Sequence, residues 1–495
     1  MKKYIFSVTN QSHLYDVAER LFDDKIAAPV LWIGDDSLYG PAKKKFGDVV
    51  FNDLIHRHRN YDIQEISYEK EHLEFFKSEN YSRAKDISLK MMDRLDLYGS
   101  FSRIDREVYF HKVLLIYLKT IKENQPEFLI CAEAPHAYTQ YTIYEICKFL
   151  NIPSYKLSNW TFGPVLMLQD LNNDKFIKVD ESNFGKYNVV LDKKINDFIE
   201  RVLKNSRYEL NYMKKQRVSN SIPNTIKNFF LDGLRKIYLD FRHNLGMIIK
   251  QKYNPINPYR FGLIYRYYIL NKRKKNLYNA FTKHSIKVDL NCEYVYFPLH
   301  FEPERTTNPD GGVFHDQFLA LKDLRNILPD NVKIYVKEHP SQFYISDRGS
   351  RGRSPLFYNL INNVKNTFLI RNEYHTIDLI KGSKFVATIT GTVAIEAAIL
   401  GIPALTFGSI WYRGCPNTIE FKEGLSYKDI INLNISEPQE ITKFFEIHKK
   451  TYAFLGFQNQ SQRNTNKEFD EKEFIDIQSK SLYNILVNLF KSKNL

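Results

Sequence analysis

Residues 332–340 read VKIYVKEHP, and residues 384–403 read KFVATITGTVAIEAAILGIP. In the first stretch Ile334 and Val336 alternate with Lys333, Tyr335 and Lys337, which predicts a short strand that stops at Glu338-His339-Pro340. In the second, an apolar run over 385–389 enters the turn Thr390-Gly391-Thr392, and a helical pattern follows over 393–400. Gly401 and Pro403 end that helix and lead into a further strand over 404–407. Strand–turn–helix–strand is the unit of a parallel α/β sheet, whose ligands bind at the carboxyl ends of the strands.

That placement gives the residues their expected chemistry. Gly391 lets the backbone approach a ligand, Thr390 and Thr392 offer hydroxyls, and a helix start offers N–H groups, so the turn is expected to cradle a phosphate. His339 and Lys337 sit at the carboxyl end of the neighbouring strand as donors to a phosphate oxygen. Glu396 follows Thr392 by about one helical turn and is placed to accept from ribose hydroxyls. Each has a plainer alternative: His-Pro as a turn, Thr as a helix cap, Glu396 as a solvated side chain. Glu396, however, lies inside AIEAAIL, where an unpaired charge is costly. Together, in this order, they describe a nucleotide-sugar site.

The stretches FPLHFEPERTT, GGVFHDQ, VKEHP and TGTVAIEAAILGIPALTFG, spanning about residues 294–408, resemble the capsule polysaccharide biosynthesis family. That family includes bacterial transferases of Kdo and related acidic sugars from CMP-activated donors. The resemblance implies an α/β, GT-B-like fold: two Rossmann-like domains facing a cleft, with nucleotide on the C-terminal one and acceptor on the N-terminal one. The His-Pro and the hydroxyl-rich turn are also similar to the donor site of bacterial GT-B sialyltransferases, where the His and a Ser/Thr pair hold the CMP phosphate. It further implies that His339, Thr390, Gly391 and Thr392 hold that phosphate and Glu396 the ribose. His300 and Glu304, in the loop after a strand over 294–298, become reserve catalytic candidates, and Arg305 a cation for phosphate or carboxylate. His315-Asp316-Gln317 opens a helix, and Trp411-Tyr412-Arg413-Gly414 is a loop near the donor or packed on the sheet.

With 495 residues, 43% hydrophobic and 26% charged, the chain has ample core for several domains. Its net charge of +14 is concentrated between positions 201 and 287, where 20 Lys/Arg face three acids, Glu209, Asp232 and Asp240. Subtracting that local +17 leaves −3 for the remainder. Tyr and Phe recur among these cations at helical spacing, which fits an anionic membrane surface, while a helical connector remains open. No nucleic-acid recognition motif accompanies them. The four cysteines are scattered without metal-ligand spacing, and reduced thiols are expected. The apolar run at positions 4–8 is too short for a signal peptide, and no run approaches the ~18 apolar residues of a membrane span.

The N-terminal part repeats the α/β pattern. A strand over 4–8 ends at a polar turn in which Asn10, Gln11 and His13 are candidate acceptor-binding residues. A helix over 14–22 follows, with strands over 30–33 and 49–51 and helices across 71–123. A strand over 128–131 ends in Ala132-Glu133-Ala134-Pro135-His136, ahead of a helix over 138–150. Glu133 at that strand end is a candidate base or nucleophile, with His136 to orient it or to meet the acceptor; a helix-capping turn is the alternative.

The expected organisation is an N-terminal acceptor domain over 1–190, a basic helical segment over 200–287, a nucleotide-sugar domain over 290–435, and helices over 436–495 that cross back. The expected activity is transfer of Kdo or a sialic-acid-like nonulosonic acid from a CMP-sugar to a glycan or lipid-linked acceptor, needing no metal or other cofactor. The expected place is cytoplasmic, at the inner face of the membrane. The alternatives are a CDP-alditol phosphotransferase of teichoic-acid type and a non-catalytic polysaccharide- or membrane-binding subunit.

Overall fold

Short strands separated by helices form two sheets, the first mixed and the second parallel. The computed structural model describes residues 1–7, 12–34, 36–47, 49–53, 70–95, 102–179, 184–204, 263–303, 307–344, 349–458 and 469–492, and four single positions between 238 and 245. Asn10, Gln11, Glu304, Arg305, the side chain of His13 and most of the basic segment lie outside the described residues.

The N-terminal sheet contains β1 (Lys2–Ser7), β2 (Ala27–Gly34), β3 (Val50–Asp53), β4 (Phe128–Cys131), β5 (Ser154–Asn159), β6 (Val165–Asp170) and β7 (Lys175–Phe176). The C-terminal sheet contains β8 (Tyr294–Pro298), β9 (Lys333–Lys337), β10 (Thr367–Ile370), β11 (Val386–Thr388), β12 (Ala404–Thr406) and β13 (Thr418–Glu420). The chain then returns to the first sheet through β14 (Ala453–Leu455).

Strand order in the second sheet is β10-β9-β8-β11-β12-β13, all parallel. In chain order that is 3-2-1-4-5-6, the doubly wound Rossmann order, which reverses between β8 and β11. The first sheet has the same start, β3-β2-β1-β4-β5, then adds β6 and β14 antiparallel, with β7 pairing β6. The fold is therefore α/β with two Rossmann-like units, as the residues and the resemblance led us to expect.

Both sheets are covered on both faces. In the first, Tyr4, Phe6, Trp32 and Ile130 pack with Leu486 and Phe490 of the last helix, Glu471–Ser492. Their neighbours Ile5, Leu31, Ile33 and Leu129 pack on the other face with helices Arg103–Asn124 and Tyr138–Phe149. The second sheet is covered likewise, so the alternation read in β9 marks two packed faces. Tyr335 is buried, its ring 4.7 Å from Tyr294, and Lys337 is 7% exposed, because a central parallel strand has no solvent face.

The C-terminal end of the basic segment forms helix Leu263–His284, whose Leu277 and Phe281 are buried in the second core, Phe281 against Phe343 and Tyr358. That stretch is a packing element of the C-terminal unit. No helix among the described residues is long and apolar enough to cross a membrane.

Candidate active site

β9, β8 and β11 are neighbours, so the loops leaving their carboxyl ends meet where the strand order reverses. His300 follows β8, His339 follows β9, and Thr390-Gly391-Thr392 joins β11 to helix Val393–Ile399.

His300 closes on the turn. Its Nε2 accepts from the Thr390 N–H at 3.3 Å and lies 3.3 Å from Thr388 Oγ1. A ring nitrogen that accepts a backbone N–H carries no proton, so the neutral ring holds its proton on Nδ1. Burial, then His339 and Arg353, pushes His300 down to about 3, which keeps it neutral at ordinary pH.

The turn is fitted closely around this ring. A Cβ at Gly391 would stand 2.7 Å from Thr388 Oγ1 and 3.5 Å from His300 Cε1. Buried Tyr412 donates to the Gly391 carbonyl at 2.6 Å. The expectation that the turn presents unpaired N–H groups needs correcting at two positions. Thr390 N–H goes to His300, and Gly391 N–H goes to Thr388 Oγ1 at 3.3 Å. The N–H groups of Thr392 and Val393 have no protein acceptor among the described residues, and the enclosed Thr390 hydroxyl has no partner.

His339 is fixed in the opposite tautomer. Its Nδ1 accepts from Ser341 N–H at 3.2 Å, which leaves the proton on Nε2. Burial, with Arg353 and Lys337 nearby, pushes it down to about 4. Lys337 does not join it: the ammonium donates to the Tyr374 carbonyl at 2.7 Å and to Thr376 Oγ1 at 3.3 Å. The two-residue strand period turns Lys337 to the face of Tyr335, and burial lowers it to about 8.

Glu396 lies in helix Val393–Ile399, and no described group donates a hydrogen bond to its carboxylate. Burial raises it to about 7, and Arg201 offsets part of the rise. A half-buried acceptor without a donor among the described residues suits ligand hydroxyls.

On the N-terminal side, Glu133 and His136 leave β4 as a pair. His136 Nε2 lies 3.6 Å from Glu133 Oε1, with both side chains largely enclosed. His136 Nδ1 lies 2.9 Å from the Ala134 carbonyl, which can only accept, so Nδ1 carries a proton. The contact with Glu133 is an ion pair only when Nε2 is protonated as well. The helix-capping alternative for Glu133 is not what forms: helix Tyr138–Phe149 is capped at Ala137 without a side-chain bond.

Cys131 pairs in register with Lys156, one strand from the Glu133 loop. Lys156 reaches across to Asp310 at 2.6 Å. Arg413 bonds Asp174, Gln169 donates to Ser409 at 3.0 Å, and Lys90 lies 2.6 Å from His315 Nδ1. Lys156, Asp174, Asp310, Ser409 and Arg413 line an open pocket of about 330 Å³. Gly408 separates it from the turn, for a Cβ there would stand 2.8 Å from Thr390 Cγ2. Trp411 packs with Trp160, Phe162 and Phe445.

Residues 258–420, about a third of the chain, match the family model described as capsule polysaccharide biosynthesis protein. The matched stretch contains both histidines, the turn and Glu396. Over that stretch the chain is similar to capsule polysaccharide biosynthesis proteins. The match begins 36 residues before the stretch in which the resemblance was read, since 294 − 258 = 36, and takes in helix Leu263–His284.

No curated protein matches the chain. Among solved structures it is similar to the KpsC β-Kdo 2,7-transferase of Thermosulfurimonas dismutans, at 10% identity, with 90% of each chain covered and a TM-score of 0.27. It is also similar to the UDP-GlcNAc 2-epimerase of Methanocaldococcus jannaschii, at 12% identity, with 94% and 99% covered and a TM-score of 0.21. The calicheamicin glycosyltransferase CalG4 is similar at 9% identity, with 100% and 99% covered and a TM-score of 0.19. At that distance these likenesses carry no information on the chemistry of the site.

Among the described residues no cluster of three His, Cys, Asp or Glu side chains forms a metal-binding group. Thr388, Gln317, Glu338 and Arg353 are site residues to which sequence reading gave no role, while Tyr412, named there in the loop near the donor or on the sheet, is buried beneath the turn. Glu338 carried a signal, because a carboxylate that ends an apolar strand needs a cation close by.

Proposed function

We propose that the protein is a glycosyltransferase of capsular polysaccharide synthesis. It would transfer Kdo or a sialic-acid-like nonulosonic acid from a CMP-sugar to a glycan or lipid-linked acceptor. One observation supports this above the rest: two imidazoles in complementary tautomers stand with the Thr390 turn at the strand-order reversal of a stretch similar to capsule polysaccharide biosynthesis proteins.

In this reading His339 Nε2–H and His300 Nδ1–H donate to the donor phosphate, beside Thr390, Gly391 and Thr392, and Glu396 accepts from the ribose. The bond from the anomeric carbon to the phosphate oxygen breaks, and CMP leaves with the bonding pair. Neutral N–H donors already in place meet the charge as it develops, so no metal is needed. The acceptor hydroxyl oxygen forms the new bond to the anomeric carbon, and its proton passes to Glu133, which His136 orients. The cationic segment over 200–287 would hold the enzyme at the anionic inner face of the membrane.

Slow donor hydrolysis tests the reading. The protein should release CMP from CMP-Kdo or a CMP-nonulosonate and leave CDP-glycerol and CDP-ribitol intact. Release from the CDP-alditols instead would make it a phosphotransferase, and release from none would make it a binding subunit.

A further inference from the structure

Arg353 and Glu338 form an ion pair that water barely reaches. Their side chains are 3% and 0% exposed, and Arg353 Nε lies 3.1 Å from Glu338 Oε2. Removing two charges from water is costly, and such a pair often adds no stability over apolar residues of the same volume. Its hydrogen bonds point to another use. Glu338 Oε1 accepts from the His339 N–H at 2.8 Å, and Oε2 also accepts from Tyr358 at 2.9 Å. Arg353 Nη2 donates to the His300 carbonyl at 2.8 Å, with its guanidinium 4.4 Å from the Phe357 ring centre.

His339 N–H, Glu338, Arg353 and the His300 carbonyl thus form one unbroken chain between the loops after β9 and β8. Gln317 grips the His300 peptide as well, accepting from its N–H at 2.8 Å and donating to its carbonyl at 3.2 Å.

We propose that Arg353 and Glu338 are positioning residues that hold His300 and His339 as a matched pair of N–H donors over the Thr390 turn. The use of that pair on a donor phosphate rests on the function proposed above; the positioning itself does not. His300 faces His339, Arg353, Thr388 and Thr390, and His339 faces Arg353, Lys337, Glu338 and the Phe301 ring. Arg353 is the fixed positive charge common to both rings, and it adds to the burial that keeps them neutral.

The test uses the full chain labelled with ¹⁵N-histidine and no ligand, with signals assigned through His300→Gln and His339→Gln. The parent should show His300 protonated at Nδ1 and His339 at Nε2. Arg353→Lys keeps the charge but cannot span Glu338 and the His300 carbonyl together. It should fold, mix the tautomers of at least one ring, and weaken CMP binding about 10- to 100-fold. The double variant Arg353→Met/Glu338→Leu removes the pair without orphaning a charge and should show the same loss; if it does not fold, Arg353→Lys decides alone. Parental tautomers in folded Arg353→Lys overturn the proposal. If the parent fails to bind CMP, the donor reading falls, while the ligand-free spectra still decide the positioning.

Discussion

The two strand-end crevices differ in where the bonds that fix each group come from. In the C-terminal unit His300 is held at its ring by Thr390 N–H, at its N–H by Gln317, and at its carbonyl by Arg353 and Gln317. His339 is held at its ring by Ser341 N–H and at its own N–H by Glu338. In the N-terminal unit the bonds stay within one loop: the His136 ring and N–H both reach the Ala134 carbonyl, Glu133 lies 3.6 Å from the ring, and Arg94 of helix Glu79–Leu95 ties the His136 carbonyl. Groups that must match a phosphate of fixed shape gain from being over-determined. A base that takes a proton from a moving acceptor needs reach more than rigidity.

The contrast sorts the expected effects of substitution. The larger belongs to the N-terminal pair. Glu133→Gln keeps the shape and removes the base, so turnover should fall about 10²–10⁴-fold while CMP affinity stays at the parent value. Steady-state kinetics beside calorimetric titration will show this, and an equal loss in both would place Glu133 in donor binding.

The smaller belongs to Glu396. Its folded value, about 7, lies above the ordinary 4.5, so the folded chain keeps a proton that the unfolded chain releases first. The stability this gives is complete below about pH 4.5 and is lost as the pH climbs through about 7. Glu396→Gln should therefore match the parent at low pH and exceed it by up to about 3 kcal/mol above pH 7 in denaturant titrations. CMP affinity of the parent should rise over the same interval, as the carboxylate becomes the stronger acceptor for ribose, and the Gln variant should lose that slope. A parent affinity independent of pH would separate Glu396 from the ribose.

Much of this architecture was legible because it is local. The strand over 294–298 and the helix from Val393 coincide with the sequence reading, and Asp316 caps helix Gln317–Ile327 through the Phe318 N–H where the helix was expected to open. Apolar runs, a glycine and a proline state such boundaries directly. What the reading missed is non-local. β14 joins the first sheet by pairing Leu455 with Val165, a partnership no periodicity announces. Arg353 sits in SRGRSP, which looks like a solvated loop, until Glu338, fifteen residues earlier, draws its guanidinium inside. Lys337 was grouped with His339, two residues on, but β9 ends at Lys337, so the strand period that would align the two stops there and His339 leaves on the loop while Lys337 bonds the Tyr374 carbonyl.

The central claim is that the crevice at β8, β9 and β11 holds CMP. Calorimetric titration of CMP, CDP, UMP, UDP and GDP into the parent and into His339→Ala tests it most directly. The account predicts that CMP binds most tightly, and that losing the Nε2–H donor to a charged phosphate weakens it about 10- to 100-fold. A preference for UDP or GDP, or CMP affinity unchanged in His339→Ala, would contradict it.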